Sequence, residues 1–324
     1  MDITKTSLAH DLVHTSPLLS CRFDPGGQFV FAGAQDYSVW RLNIADGSKT
    51  EFPAESWVRA IAFVDNGETC LTAGYDGRLM WWPTKADKPQ ASRVVDAHHG
   101  WIRALDVSPD QSMIATVGND LVVKLWASAD GTLKQEFRGH ESFIYNVAFH
   151  PDGKQLVTGD LMCNVMHWDL TTGQQVRTWK AESLQKYDKT FVANIGGFRG
   201  MEFDTDGTWL ACSGITNVSN AFAGVGNPSV VVFDWVKGEQ KIEHLSKGKL
   251  QGTAWGVVFH PDGTRIAAMG GSGGYLLFWK PDSVDEFHNI KLKDAARDLA
   301  ISSEAALVAT AHSNGHVSVY QIGG

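Results

Sequence analysis

The sequence predicts an all-β fold: a seven-bladed β-propeller of four-stranded antiparallel blades, with an N-terminal strand completing the last blade. Three observations carry this. A hydrophobic strand closes at Phe23, Phe63, Val107, Phe149, Phe203, Phe259 and Ile301, and a second closes downstream at Leu42, Trp82, Trp126, Trp168, Phe233, Trp279 and Tyr320. The gap between partners is 19 residues in repeats 1, 2, 3, 4 and 7, 20 in repeat 6 and 30 in repeat 5. Short alternating segments separated by Gly- and Asp-rich turns, with no helical periodicity, fill each repeat. A period of about 40 residues with a near-terminal Trp marks a radial array of small sheets.

Repeat 4 shows how the elements follow. Phe143 to Phe149 reads as the first strand, and His150-Pro151-Asp152-Gly153 as a tight turn in which Gly takes positive φ. Lys154 to Gly159, Asn164 to Trp168 and Gln174 to Trp179 supply the other three strands, with Asp169 to Gly173 turning between the last two. The same reading along the chain gives one domain over residues 1–324. Its blades fall near 16–54, 55–97, 98–139, 140–181, 195–246, 250–292, and 293–324 together with 2–10. The seventh repeat has no fourth strand after Tyr320, so the segment ITKTSLA near the N-terminus is expected to close the ring and remove its open edges.

Composition narrows the function classes. The 324 residues carry a net charge of −8, which disfavours a general nucleic-acid surface. Cys21, Cys70, Cys163 and Cys212 fall in four different repeats without a CxxC pair, so neither disulfides nor a cysteine zinc site is expected. The first residues lack a secretory pattern and no apolar run is long enough for a membrane helix; a cytoplasmic protein without membrane partners is expected. The adjacent His98-His99 and the Cys163/His167 pair do not form a ligand cluster, and Gly270 to Gly274 reads as a turn rather than a phosphate loop. No metal or cofactor is expected.

Repeat 3 carries His98, Thr116, Asp120 and Trp126, and repeat 4 carries Gly139-His140, Thr158 and Trp168-Asp169, with Met162 where an Asp is expected. Repeat 2 keeps Thr72, Asp76 and Trp82. In these residues the chain resembles the WD-repeat (WD40) family over nearly its whole length. The resemblance implies that His98, Thr116, Asp120, Trp126, His140, Thr158, Trp168, Asp76 and Trp82 build the buried blade network, and that the His, Thr and Asp are structural rather than a catalytic triad.

Function is sought where the repeats differ. The position four residues before each first-strand end reads Leu19, Arg59, Arg103, Tyr145, Arg199, Trp255, Arg297. Chance placement of 11 arginines would put about 0.24 of one in seven positions, not four. The resemblance implies that this position rings one mouth of the central channel. It also implies a role, since arginines here grip phosphorylated peptides in the substrate receptors of F-box ubiquitin ligases. Guanidinium forks suit carboxylate and phosphate oxygens. The alternative is that each Arg pairs with a neighbouring acid such as Asp76 or Asp298 and staples blades together. Two long segments, 182–194 and 215–227, lie toward the same face, and their Tyr187, Phe191 and Phe222 are expected to cover one side of the mouth. Only Asp106 and Glu202 are acidic one position before the strand ends, too few for a metal-dependent hydrolase. The expected function is a non-enzymatic protein-interaction scaffold whose mouth binds an acidic or phosphorylated segment of a partner protein. The alternative is a small anionic metabolite.

Overall fold

The computed structural model describes residues 2–220, 225–248 and 250–323. Their strands form seven four-stranded antiparallel sheets. Innermost to outermost, blade 3 runs Ile102–Val107, Met113–Gly118, Val122–Ala127, Leu133–Arg138, and blade 4 runs Ile144–Phe149, Gln155–Asp160, Asn164–Asp169, Gln174–Lys180. The innermost strand of each blade packs on that of the next, and Ala296–Ile301 of blade 7 packs on Leu18–Phe23 of blade 1, which closes the ring. The repeat exists because of what lies between blades. Seven apolar clusters form, one per interface, and the aromatic residue closing the third strand anchors in one of them in every blade that has it. Trp82 sits between blades 1 and 2, Trp126 between 2 and 3, Trp168 between 3 and 4. The residue closing the first strand packs in the same cluster, as Phe149 does with Trp168, so their spacing in sequence is fixed.

The N-terminal closure is present but displaced along the chain. Strand Ser7–Val13, which includes only the last three residues of the ITKTSLA segment, pairs antiparallel with His316–Gln321. Residues Ile3–Lys5 instead form a 3-10 turn, because the Asp2 side chain accepts from the Thr4 backbone N–H at 3.1 Å and so caps it. Ile3 and Leu12 are buried in the clusters on the two sides of blade 7.

The blade networks are hydrogen-bonded chains. In blade 3 the His98 ring meets Asp120 Oδ1 at 2.8 Å and Thr116 Oγ1 at 2.7 Å, and Trp126 Nε1 donates to the same Thr at 2.8 Å. Blade 4 repeats this through His140, Thr158 and Trp168, but with a different acid. Sequence alignment left Met162 at the acidic position; the structure supplies Asp160, fully buried and 3.0 Å from His140 Nδ1. Its other oxygen accepts from the Met162 and Asn164 N–H groups at 2.9 Å each, so the acid moves two residues upstream without leaving the turn unsatisfied. In blade 2, Trp82 Nε1 donates to Thr72 at 2.9 Å, while Asp76 pairs with Arg78.

Candidate functional site

The seven residues picked out by position have a shared backbone cause. Between Leu18 and Ser20, Val58 and Ala60, Ile102 and Ala104, Ile144 and Asn146, Ala254 and Gly256, and Ala296 and Asp298, strand pairing skips one residue. The skipped residues are Leu19, Arg59, Arg103, Tyr145, Trp255 and Arg297. Each occupies a β-bulge, which leaves it out of the ladder and re-aims its side chain. In blade 5 the strand starts at Gly200, so Arg199 stands just outside the ladder, with its N–H bonded to the Ser213 carbonyl at 2.9 Å. All seven line one cavity of about 470 Å³ at a mouth of the channel.

From blade 3 to blade 7, cations and aromatic rings alternate around the cavity. The Arg103 guanidinium lies 4.6 Å from the Tyr145 ring centre, and Arg199 lies 5.1 Å from the same ring and 5.3 Å from Trp255. Arg297 and Arg59 approach Trp255 at 5.1 and 5.8 Å. Each such contact is worth about 0.5–2 kcal/mol, which offsets part of the repulsion among the guanidiniums. Backbone and amide acceptors hold some of their N–H groups: Arg103 Nε donates to Asn119 Oδ1 at 2.9 Å, and Arg59 donates to the carbonyls of Leu19 and Arg297. Arg199 is poorly satisfied for a side chain so enclosed. Its Nη1 reaches the Gly197 and Phe198 carbonyls only at 3.5 and 3.4 Å, and its Nε is buried without a partner. Burial pushes its pKa below the ordinary arginine value; the phenol of Tyr145 opposes this, while Arg59 and Arg103 add to it.

The stapling alternative is not realised at these positions. Asp298 pairs with Arg22 at 2.8 Å, and Asp76 pairs with Arg78. Among the described residues no carboxylate lies within ion-pair distance of Arg59, Arg103, Arg199 or Arg297, and Asp298 is the one acidic residue in the cavity wall. The structure adds Gln35, Tyr75 and Ser313 to that wall. Tyr75 was missed although its place, just after the second strand of blade 2, recurs in every repeat. Tyr187 and Phe191 do not reach the cavity wall. They are half-exposed on a hairpin, Gln185–Asp188 with Ala193–Gly196, that Lys186 ties to the Val218 carbonyl on the extended second strand of blade 5. Phe222 lies outside the described residues.

Below the mouth the channel continues into a second cavity of about 660 Å³ whose wall includes Asp106 and Glu202. Burial raises the Asp106 carboxyl to about 6, although the Phe149 and Val107 N–H groups it accepts oppose the rise. Enclosure within the channel and then the Asp106 charge raise Glu202 to about 7, with Arg22 opposing, although its side chain is open to the channel. Both folded-state values lie above the unfolded ones, so the native state holds protons that the unfolded chain releases. Stability is therefore expected to fall as pH climbs from about 4 through 7, with the contribution of Glu202 reduced by its exposure. Glu202→Gln should flatten this decline: its thermal midpoint should gain on the wild type between pH 5 and pH 8 in calorimetry. A difference that is constant with pH would show that Glu202 does not titrate in this range.

The described residues include no helix long and apolar enough to cross a membrane, and no group of three or more His, Cys, Asp or Glu placed to hold a metal ion. All four cysteines are buried and free.

Seven such blades, closed by an N-terminal strand and pinned in blades 3 and 4 by His–Thr–Trp chains, define a WD40-repeat propeller, and this chain belongs to that family. The family model described as WD domain, G-beta repeat matches residues 6–40, 48–83, 89–127 and 129–169. Similar proteins include the transcription initiation factor TFIID subunit 5 of Caenorhabditis elegans, 29% identical over 160 residues that cover 48% of this chain and 24% of that protein. Protein groucho of Drosophila melanogaster is 25% identical over 158 residues, covering 48% and 20%. Nuclear distribution protein nudF 2 of Penicillium rubens is 28% identical over 221 residues, covering 62% and 46%. The match thus spans less than half the length of each of these relatives.

Proposed function

We propose that this protein is a non-enzymatic interaction scaffold whose arginine-lined mouth binds an acidic or phosphorylated segment of a partner protein. The observation that carries this reading is the set of four arginines, each beside an aromatic ring and none with a carboxylate, around one cavity. A concave cationic mouth on a chain of net charge −8 focuses potential at one place. Such a mouth selects an anion whose oxygens can accept from several guanidinium edges at once. The relatives support a role in assemblies, since one is named as a subunit of a transcription initiation factor. Among the described residues no paired carboxylates and no nucleophile with a base converge on the mouth, so recognition is favoured over turnover.

The test is fluorescence anisotropy with three labelled peptides of equal length: one glutamate-rich, one phosphorylated and one lysine-rich. Binding of either anionic peptide that weakens with added salt, without binding of the lysine peptide, is the expected result. Equal binding of all three would overturn the reading. Tight binding of free pyrophosphate with no gain from a peptide would favour the small-anion alternative instead.

A further inference from the structure

A second repeat position, two residues before the bulge, reads Pro17, Trp57, Trp101, Phe143, Gly197, Thr253, Ala295. The large flat residues are consecutive, on blades 2, 3 and 4, and blades 5 to 7 carry small ones. Each aromatic is fixed by its own carbonyl, which accepts from the residue after the second strand: Tyr75 to Trp57 at 2.9 Å, Asn119 to Trp101 at 3.0 Å and Leu161 to Phe143 at 2.9 Å. Tyr75 fills the space between two of them. Its ring stacks on Trp101 at 4.1 Å with 9° between planes, and meets Trp57 at 5.7 Å. The result is an aromatic arc on one side of the mouth, with Trp101 41% and Phe143 43% exposed.

The arc is continuous with the cationic belt. Arg103 lies 4.8 Å from the Trp101 ring and 4.6 Å from Tyr145, and so belongs to both. We infer that the ligand of the mouth is directional: an extended partner segment whose acidic group sits among the arginines and whose neighbouring apolar side chains lie across the arc on blades 2 to 4. Charge and shape commit the occupant. The mouth accepts an anion, and the rigid, half-exposed rings beside it offer apolar area at little cost in side-chain order. The small residues of blades 5 to 7 provide no equivalent, so the apolar flank has one side to follow. This inference rests on the proposed anion-binding reading and adds the chemistry of the flanking residues.

The experiment uses three fluorescein-labelled nonapeptides with a central phosphoserine. One has only glycine and serine flanks, and two carry a Phe-Phe pair on the N-terminal or the C-terminal side. The full chain is titrated with each. One of the two aromatic peptides should bind ~10-fold more tightly than the glycine peptide, the gain expected for one or two well-packed rings. The double variant Trp101→Leu/Phe143→Ala should lose that preference. Leucine keeps apolar support for the Arg103 stem, so the glycine peptide should keep its affinity to within ~3-fold, and circular dichroism should confirm the fold. Binding of all three peptides with equal affinity overturns the directional arc alone. No binding of any peptide overturns both this inference and the reading beneath it. A preference that survives in the double variant places the apolar flank elsewhere and likewise overturns the arc.

Discussion

Deleting residues 2–13 is expected to lower the thermal midpoint by on the order of 10 °C. The segment contributes the outer strand of blade 7 through Ser7–Val13, and two buried anchors on opposite sides of that blade, Ile3 and Leu12. Burying an aliphatic side chain is worth about 1.5–3 kcal/mol, so the two anchors together account for roughly 3–6 kcal/mol. Asp11 adds a polar cluster, accepting from His316 at 3.0 Å and from Ser318 at 3.3 Å and pairing with Lys293. Removing the strand also exposes the backbone edge of His316–Gln321, an invitation to association between chains. Differential scanning calorimetry measures the first effect and light scattering the second. A synthetic peptide of residues 2–14 should restore part of the midpoint when added to the truncated chain, because its pairing register is fixed by that edge. An unchanged midpoint would show that the ring closes without the clasp.

That the clasp could be foreseen at all reflects what a repeat makes legible. The spacing from Phe149 to Trp168 can be read from sequence because both residues anchor in the same inter-blade core, and that core cannot pack if the spacing drifts. The place of the clasp strand was legible only to within a few residues, since the Asp2 cap on the Ile3–Lys5 turn is a local side-chain choice that alternation does not encode. The same limit explains Asp160. Within a hairpin turn an acid two residues upstream can reach the same histidine, so position in an alignment is a weaker guide than reach. For the mouth, residue counting located the arginines but not the bulges that turn them inward. Nor did it find the Trp57, Trp101 and Phe143 series, whose signal lay two residues upstream. Tyr187 and Phe191, half-exposed on a hairpin tethered to blade 5, lie outside the cavity wall, which the apolar character of their insertion alone did not reveal.

Replacing Arg103 and Arg199 together with glutamate is expected to weaken binding of an anionic peptide by at least ~100-fold, about 2.7 kcal/mol. The pair is chosen because the two guanidiniums flank Tyr145, at 4.6 and 5.1 Å, and so face one anion from two sides. Arg199 is also the side chain with most to gain from a ligand: its Nε is buried without an acceptor, and its proton is held less firmly than in water. Truncating one partner of a desolvated charge pair commonly costs 2–5 kcal/mol, and reversal adds repulsion to the loss, so ~100-fold is a lower bound. The fold should tolerate the change, because neither arginine makes an ion pair among the described residues and each glutamate relieves repulsion from Arg59 and Arg297. Calorimetric midpoints of variant and wild type should therefore agree to within about 3 °C. Arg103→Lys/Arg199→Lys separates charge from geometry: lysine keeps the potential but not the planar fork, and an intermediate loss would assign the remainder to bidentate contact. If the glutamate variant binds as tightly as the wild type while remaining folded, the mouth is not the recognition site. The four arginines would then be a structural ring held by Tyr145, Trp255 and their backbone and amide acceptors.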